Sequence, residues 1–204
     1  MKTLIKICGI TRAEDAQLCE ELGVDYIGLN FVPSSKRCIS ISQAEEVIAG
    51  LKRVRMVGVF ADADPSQIRE IVSALGLSGV QLHGSETPDH VRDLECHVIK
   101  AFRTVPSLNI LETFMHAGAR ILLDGAANGE SADLNQIAAL PENIRSEIFL
   151  AGGLTAQNVS DAISRIHPFA VDCASGVETS PGVKDHRMLR TFISAGRRPA
   201  LKNP

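Results

Sequence analysis

The sequence predicts an α/β fold, a single (β/α)8 barrel that spans residues 1–204. Short apolar runs alternate with amphipathic segments along the whole chain, and eight such runs are present. The 204 residues give each unit about 25 residues, near the lower size limit of this barrel. Strict alternation is also compatible with a doubly wound open sheet. Eight is the number of strands that closes a barrel, so the count favours the closed form.

The predicted strands are nearly continuous apolar runs, which is typical of parallel strands covered by helices. In chain order they span residues 3–8, 25–31, 54–60, 78–82, 97–102, 119–124, 147–151 and 169–173.

The segments between the strands carry helical periodicity, with apolar side chains at i, i+3, i+4 and i+7. The best-defined sets are Ala44, Val47, Ile48 and Leu51; Ile68, Ile71, Val72 and Leu75; and Val159, Ala162, Ile163 and Ile166. Capping-box patterns predict three helix starts, at Thr11 with Glu14, Ser42 with Glu45, and Asp64 with Gln67. We expect residues 196–204 to form a flexible tail.

Composition excludes several functional classes. The net charge of −3, one Tyr and no Trp provide neither a basic surface nor a stacking platform for nucleic acid. No apolar run approaches the roughly 20 residues of a membrane span. Five cysteines without a CxxC pair fit neither a disulfide framework nor a zinc site, so we expect a cytoplasmic protein.

Polar residues and glycines occupy the predicted strand ends, where (β/α)8 barrels carry their chemistry. The first, fourth and sixth strands end at or next to Cys8, His83 and Asp124, and Arg37 lies in the loop after the second. The ends of the seventh and eighth strands carry Gly152, Gly153, Asp172, Ser175 and Gly176. Gly and Asp also form ordinary turns, so no single position decides the function.

Six motifs at these positions occur together and in order. They are KICGIT at 6–11, VGVF at 57–60, QLHG at 81–84, LLD at 122–124, LAGGL at 150–154 and VDCASGVE–PGVKD at 171–185. This pattern resembles the phosphoribosylanthranilate isomerase family from residue 4 to about residue 194. The resemblance implies an isomerase of tryptophan biosynthesis that needs no cofactor or metal. The implied reaction is the Amadori rearrangement of N-(5-phosphoribosyl)anthranilate to 1-(o-carboxyphenylamino)-1-deoxyribulose 5-phosphate.

The resemblance also implies roles for the acid–base pair, with Cys8 as general base and Asp124 as general acid. A free thiol has a pKa of about 8.5, so Cys8 must be partly ionised to act. Lys6 lies two residues earlier on the same strand face, and we expect its charge to favour the thiolate. In a closed barrel the eighth strand adjoins the first, so Asp172 should lie near Cys8, where it would contact a sugar hydroxyl or tune the thiol.

The remaining implied roles concern binding. Arg37 matches the arginine that binds the anthranilate carboxylate, although Lys36 replaces the proline usual in this loop. His83 is a candidate substrate contact, with a structural role equally open. Glycine loops suit phosphate because backbone N–H groups approach the oxygens closely; the matching residues are Gly152, Gly153, Ser175 and Gly176. The other cysteines, Cys19, Cys38, Cys96 and Cys173, are interpreted as packing residues.

Segment 125–135 departs from the family, because it lacks the aromatic pair and most of the glycines usual after the sixth strand. This divergence leaves open a non-catalytic phosphosugar-binding paralogue, although such a protein would not need Cys8 and Asp124. A ribulose-phosphate epimerase would need several metal-ligating strand ends, and an indole-glycerol-phosphate synthase a strand-end lysine. We expect a phosphorylated small molecule as substrate. We also expect the protein to be a monomer or a weak homodimer.

Overall fold

The structure is a computed structural model that describes residues 2–125 and 133–197. Eight parallel strands form a closed barrel in sequence order, and the last strand pairs with the first in the register Lys6 to Asp172. This closure confirms the predicted (β/α)8 fold and rules out the open sheet, in which the first and last strands would not pair.

The barrel strands lie within a residue or two of the predicted runs. They are β1 Leu4–Cys8, β2 Tyr26–Asn30, β3 Arg55–Phe60, β4 Gly79–Leu82, β5 His97–Phe102, β6 Ala119–Asp124, β7 Ile148–Ala151 and β8 Ala170–Cys173. The helices are α1 Ala13–Glu21, α2 Ile41–Ile48, α3 Pro65–Leu75, α4 Pro88–Arg92, α5 Leu108–His116, α6 Leu134–Ala138, α7 Glu142–Arg145, α8 Val159–Ile166 and α9 His186–Gly196.

Strand residues alternate between two environments because successive side chains point to opposite faces. Ile5 and Ile7 face outward into the large core between barrel and helices. A smaller cluster, which includes Leu122 and Phe149, fills the barrel interior. The interior also holds buried polar side chains, among them Lys6, Gln81 and Asp172. The barrel interior thus contains both an apolar cluster and a group of buried polar side chains.

Two predicted helix starts are wrong. Helix α2 begins two residues earlier than predicted, because Ser40 forms the capping box with Gln43 and Ser42 does not form one with Glu45. Helix α1 has Arg12 as its N-cap without a side-chain cap. Thr11 does not cap it, because its hydroxyl donates to the carbonyl oxygen of Gly182 at 2.6 Å.

The third predicted start is partly confirmed. Asp64 does cap α3, but it accepts from the N–H of Ser66, and Pro65 occupies the first turn. Helix α2 ends at Ile48, so Leu51 lies beyond the helix although its spacing matched the pattern.

A short antiparallel hairpin after β8 was not predicted from the sequence. It comprises β9 (Glu178–Ser180) and β10 (Val183–Lys184), preceded by a 3-10 turn at Ser175–Val177. The hairpin returns the chain toward β1, where Gly182 receives the hydrogen bond from Thr11. It therefore brings the residues that follow β8 over the end of the first strand.

The C-terminal part of the chain ends the described region. Gly196 is the last residue of α9, and its neighbour Arg197 donates a hydrogen bond to the carbonyl oxygen of Gly23. These two residues of the expected tail are therefore ordered against the barrel, and residues 198–204 lie outside the described part. None of the helices in residues 2–125 and 133–197 combines the length and apolarity of a membrane-crossing segment.

Candidate active site

A cavity of about 250 Å³ opens at the C-terminal mouth of the barrel. All nine residues that the sequence proposed for the site line it: Cys8, Arg37, His83, Asp124, Gly152, Gly153, Asp172, Ser175 and Gly176. A larger cavity of about 570 Å³ lies at the opposite mouth, next to residues such as Tyr26 and Phe169, and none of the nine lines it. Position in the barrel, rather than size, therefore identifies the candidate site.

Cys8 ends β1 with its thiol directed into the cavity. Gly28 on the neighbouring strand makes room for the sulfur, since a Cβ at that position would lie 2.6 Å from Sγ. Burial raises the pKa of the Cys8 thiol, and the charge of Lys6 opposes this shift without cancelling it. The thiol is therefore neutral at neutral pH, and a further positive charge nearby would favour its ionisation.

Lys6 is fully buried beneath the cavity. Its Nζ donates to Asp172 Oδ2 at 2.8 Å and to Gln81 Oε1 at 2.9 Å. Burial would lower the pKa of Lys6, but the negative charge of Asp172 and its hydrogen bond to Nζ act in the opposite direction, and the pKa is raised. Lys6 thus stays cationic and provides the positive charge next to Cys8 that the sequence suggested.

Asp172 lies beside Lys6, as the pairing of β8 with β1 led us to expect. Its side chain is 7% exposed, and Oδ1 has no hydrogen-bond partner among the described residues. A buried carboxylate oxygen without a donor is costly, which makes Oδ1 an acceptor available to a ligand hydroxyl.

Asp124 and His83 face each other across the mouth, with His83 Nε2 3.9 Å from Asp124 Oδ2. His83 Nδ1 lies 3.2 Å from the amide nitrogen of Gln81. In this orientation the amide donates to Nδ1, so the proton of a neutral imidazole is on Nε2, toward Asp124. Burial lowers the pKa of His83, against the opposing effect of Asp124, so the neutral form is favoured at physiological pH.

Arg37 is not a solvated surface residue. Its Nε donates to Glu178 Oε1 at 2.9 Å, and its Nη2 donates to Oε2 at 2.6 Å. Burial alone would raise the pKa of Glu178, but the hydrogen bonds and charges of Arg37 and Lys184 outweigh this effect. The pKa is lowered, so the carboxyl stays ionised. The sequence predicted no role for Glu178 or Lys184. Both lie inside a matched motif, and no local spacing pattern points to their contacts with Arg37.

The glycine loops after β7 and β8 expose backbone at the mouth. Gly152 and Gly153 have φ values of 93° and 64°, a region that glycine enters without strain. Gly176 packs so closely on β7's loop that a Cβ would lie 1.9 Å from the carbonyl oxygen of Leu154. Ser175 begins the 3-10 turn beside it. These loops provide closely approachable backbone of the kind that binds phosphate oxygens.

The divergent segment after β6 is described only at its two ends. Gly125 follows Asp124, and Asp133 caps α6 by accepting from the N–H groups of Asn135 and Gln136. Asp133 therefore has a structural role, and residues 126–132 lie outside the described part. Among the described residues, no cluster of three or more His, Cys, Asp or Glu side chains is arranged to hold a metal ion.

A closed eight-stranded barrel with a thiol, a carboxyl group and glycine loops at its C-terminal mouth belongs to the class of (β/α)8-barrel enzymes. Comparison with known families defines it further. The family model for N-(5'-phosphoribosyl)anthranilate (PRA) isomerase matches residues 5–195. The chain belongs to this family and is an isomerase.

Relatives support this assignment over nearly the full length. An N-(5'-phosphoribosyl)anthranilate isomerase from Myxococcus xanthus is 39% identical over 211 residues and covers 97% of each chain. One from Pseudomonas fluorescens (strain Pf0-1) is 39% identical over 198 residues, covering 94% of this chain and 97% of the relative.

Solved structures agree in fold. The phosphoribosyl anthranilate isomerase of Thermotoga maritima has a TM-score of 0.85 and 37% identity, covering 95% of this chain and 98% of that one. A phosphoribosyl anthranilate isomerase in complex with reduced 1-(o-carboxyphenylamino)-1-deoxyribulose 5-phosphate has a TM-score of 0.81, with the same identity and coverage.

Proposed function

We propose that this chain converts N-(5'-phosphoribosyl)anthranilate to 1-(o-carboxyphenylamino)-1-deoxyribulose 5-phosphate in tryptophan biosynthesis, as a cytoplasmic enzyme. The observation that carries the proposal is the convergence of Cys8, Asp124 and Arg37, from three distant parts of the chain, on one cavity. A thiol, a carboxylic acid and a guanidinium are the groups that an Amadori rearrangement of a carboxylated aryl aminosugar requires.

In the proposed first step, Asp124 protonates the ring oxygen of the ribose. The bond from this oxygen to C1′ breaks, the nitrogen lone pair forms a double bond to C1′, and an iminium ion results. Asp124 lies at the mouth with solvent on one side and His83 on the other, so it can regain a proton after each turnover.

In the second step, the thiolate of Cys8 removes the proton from C2′. The electrons of the C–H bond form a C1′–C2′ double bond, and the electrons of the iminium double bond return to nitrogen. The resulting enolamine tautomerises to the ketone. Because the iminium nitrogen is the electron sink, the reaction needs no cofactor or metal.

The iminium charge also accounts for how a buried thiol becomes a base. Burial raises the pKa of Cys8 in the free enzyme. A positive charge that forms next to the sulfur on ring opening favours the thiolate and lowers this pKa. The buried Lys6 also lowers the pKa of Cys8. We therefore propose that Cys8 ionises in the complex, at the stage where the base is needed.

The remaining lining residues bind the substrate in this proposal. The glycine loops hold the phosphate through backbone N–H groups, with Gly152, Gly153, Ser175 and Gly176 as donors. Asp172 Oδ1 accepts from a sugar hydroxyl, and the Nε2–H of His83 contacts the sugar near Asp124. Arg37 binds the carboxylate of the anthranilate ring.

The test is turnover of N-(5'-phosphoribosyl)anthranilate, followed by the fluorescence of its anthranilate group, and growth of a tryptophan auxotroph that lacks this step. We expect turnover and growth with the wild-type chain and neither with Cys8→Ala. A wild-type protein that binds the substrate with a constant signal and forms no product would instead be a non-catalytic binding paralogue.

A further inference from the structure

We infer that Glu178 is a positioning residue that fixes Arg37 so that one edge of its guanidinium is presented to the substrate carboxylate. The inference rests on the proposed function and deepens it, because it names what determines recognition of the carboxylated ring. It depends on three features of the structure: the edge of Arg37 that Glu178 occupies, the packing of the Arg37 stem, and the link from Glu178 to Cys8.

The guanidinium has two edges that can each bind a carboxylate through two hydrogen bonds. Glu178 occupies the edge formed by Nε and Nη2, at 2.9 and 2.6 Å. Within residues 2–125 and 133–197, Nη1 has no hydrogen-bond acceptor, and Arg37 lines the cavity. The edge formed by Nη1 and Nη2 is therefore the one left for a ligand.

The aliphatic stem of Arg37 is confined as well. It crosses directly over Gly9, where a Cβ would lie 2.3 Å from Cδ of Arg37. The backbone N–H of Arg37 donates to Ser35 Oγ at 3.1 Å, within the turn that carries it. Backbone, stem and one edge of the guanidinium are thus all held before any ligand binds.

Glu178 is itself held by a second cation. The fully buried Lys184 donates from Nζ to Glu178 Oε1 at 2.7 Å, to the carbonyl oxygen of Cys8 at 2.6 Å and to that of Ala174 at 3.2 Å. Arg37 is therefore connected, through Glu178 and Lys184, to the end of β1 that carries the proposed base. A substrate carboxylate bound to Arg37 would in this way be placed at a fixed distance from Cys8.

The charges in this group still favour an anion. One carboxylate is shared between two cations, so the trio of Arg37, Glu178 and Lys184 keeps a net positive charge beside the cavity. Loss of Glu178 would free one donor edge of Arg37, but it would also release a long side chain whose ordering costs affinity. We expect the loss of order to dominate, because the remaining ion pair with a ligand at a partly exposed mouth is screened.

The experiment compares two stable ligands on matched variants. One ligand is reduced 1-(o-carboxyphenylamino)-1-deoxyribulose 5-phosphate, and the other is the same molecule with an unsubstituted phenyl ring. Glu178→Ala should raise the Kd of the carboxylated ligand about tenfold and that of the phenyl ligand less than about twofold. Glu178→Gln keeps one acceptor oxygen and should give an intermediate, roughly threefold, increase.

Two controls complete the design. Glu147→Ala removes an acidic partner of Arg120 at the opposite mouth and should change neither Kd. Arg37→Ala should abolish the preference for the carboxylated ligand, and adding Glu178→Ala to it should remove no further preference, since the two residues act as one unit. Binding is measured by calorimetry, with the protein concentration corrected for the folded fraction. Partial unfolding of a variant then does not change the ratio of the Kd values of the two ligands.

Equal weakening of both ligands by Glu178→Ala would overturn the inference, because Glu178 would then only support the fold. Tighter binding of the carboxylated ligand would overturn it too, since Glu178 would then compete with the substrate. A wild-type protein that turns over the substrate but does not distinguish the ligands contradicts the inference while the proposed function stands. Absence of turnover with the predicted ligand preference contradicts only the proposed function.

Discussion

The thiol of Cys8 lies between two opposing influences. Burial raises its pKa, whereas Lys6, held in place by Asp172 and Gln81, lowers it. The balance raises the pKa and leaves a neutral thiol in the free enzyme, and we propose that a substrate cation then favours its ionisation. In this proposal the charge of Lys6 therefore helps to determine when Cys8 ionises and can act as a base.

Replacement of Lys6 by methionine tests this balance. Because the charge of Lys6 lowers the pKa of Cys8, its removal should raise that pKa further. The rising limb of kcat/KM against pH should move to higher pH, with activity at neutral pH about tenfold lower for each unit of the move. Steady-state kinetics across the pH range provides the measurement.

The matched control is Lys52→Met, at an exposed lysine, which should leave the pH profile unchanged. Since Lys6→Met also leaves Asp172 without its cation, the double variant with Asp172→Asn separates loss of charge from loss of stability. An unshifted rising limb in folded Lys6→Met would show that Lys6 does not tune the thiol.

For individual residues, the sequence predicted where site residues lie in the barrel better than it predicted which side chains they contact. Cys8 and Asp124 were found because polar residues that end apolar strands lie at one mouth of a barrel. Glu178 was missed because its contacts with Arg37 join residues 141 positions apart, and no periodicity encodes such a pair. Asp172 was placed correctly near Cys8 because strand order alone brings β8 beside β1.

Among the elements, the loop between β4 and α4 is fixed by a buried ion pair. Lys100 Nζ, from β5, donates to Glu86 Oε2 and to the carbonyl oxygen of Gly84, both at 2.6 Å. Glu86 in turn accepts from the backbone N–H groups of Asp62 and Gly84. This pair holds the turn that directly follows His83.

Removing one partner of this pair should be more harmful than removing both. Lys100→Met leaves the Glu86 carboxylate buried without its cation, which should reduce the free energy of unfolding by about 3–5 kcal/mol. The double variant with Glu86→Gln should recover most of the loss. Urea denaturation measures these values, and a double variant as unstable as the single one would contradict the account.

Element boundaries show why local sequence signals were incomplete. Ser40 and Ser42 are both competent caps, and the observed choice of Ser40 depends on Gln43 reaching back to it. Thr11 was assigned to a helix start but bonds to the hairpin, a contact between elements about 170 residues apart. The hairpin itself is short and polar, so its pattern did not stand out from a loop.

For the whole molecule, the closed barrel is what brings residues from the first and last strands together. The sequence predicted this architecture because the number and spacing of apolar runs are properties of the entire chain.

The oligomeric state expected from the sequence is a monomer or weak homodimer. Among the described residues, the large apolar side chains that are clearly exposed are few and lie on α2, α5 and α9: Ile41, Leu108, Ile110 and Met188. Such scattered positions do not form the extended apolar face of an obligate dimer. Sedimentation velocity at micromolar concentration should show mainly monomer. A dimer that persists on dilution would contradict this expectation.

The account's central claim is that Cys8 and Asp124 perform proton transfer in one cavity. Its most direct test is kcat/KM for N-(5'-phosphoribosyl)anthranilate in Cys8→Ala and Asp124→Asn, with Cys38→Ala as the control. Cys38 is exposed, so its interpretation as a packing residue was wrong. Each of the first two should lose about 10²–10⁴-fold in kcat/KM and still bind the reduced product analogue, whereas the control keeps full activity. Turnover within about tenfold of wild type in either variant would show that the acid–base pair is assigned to the wrong residues.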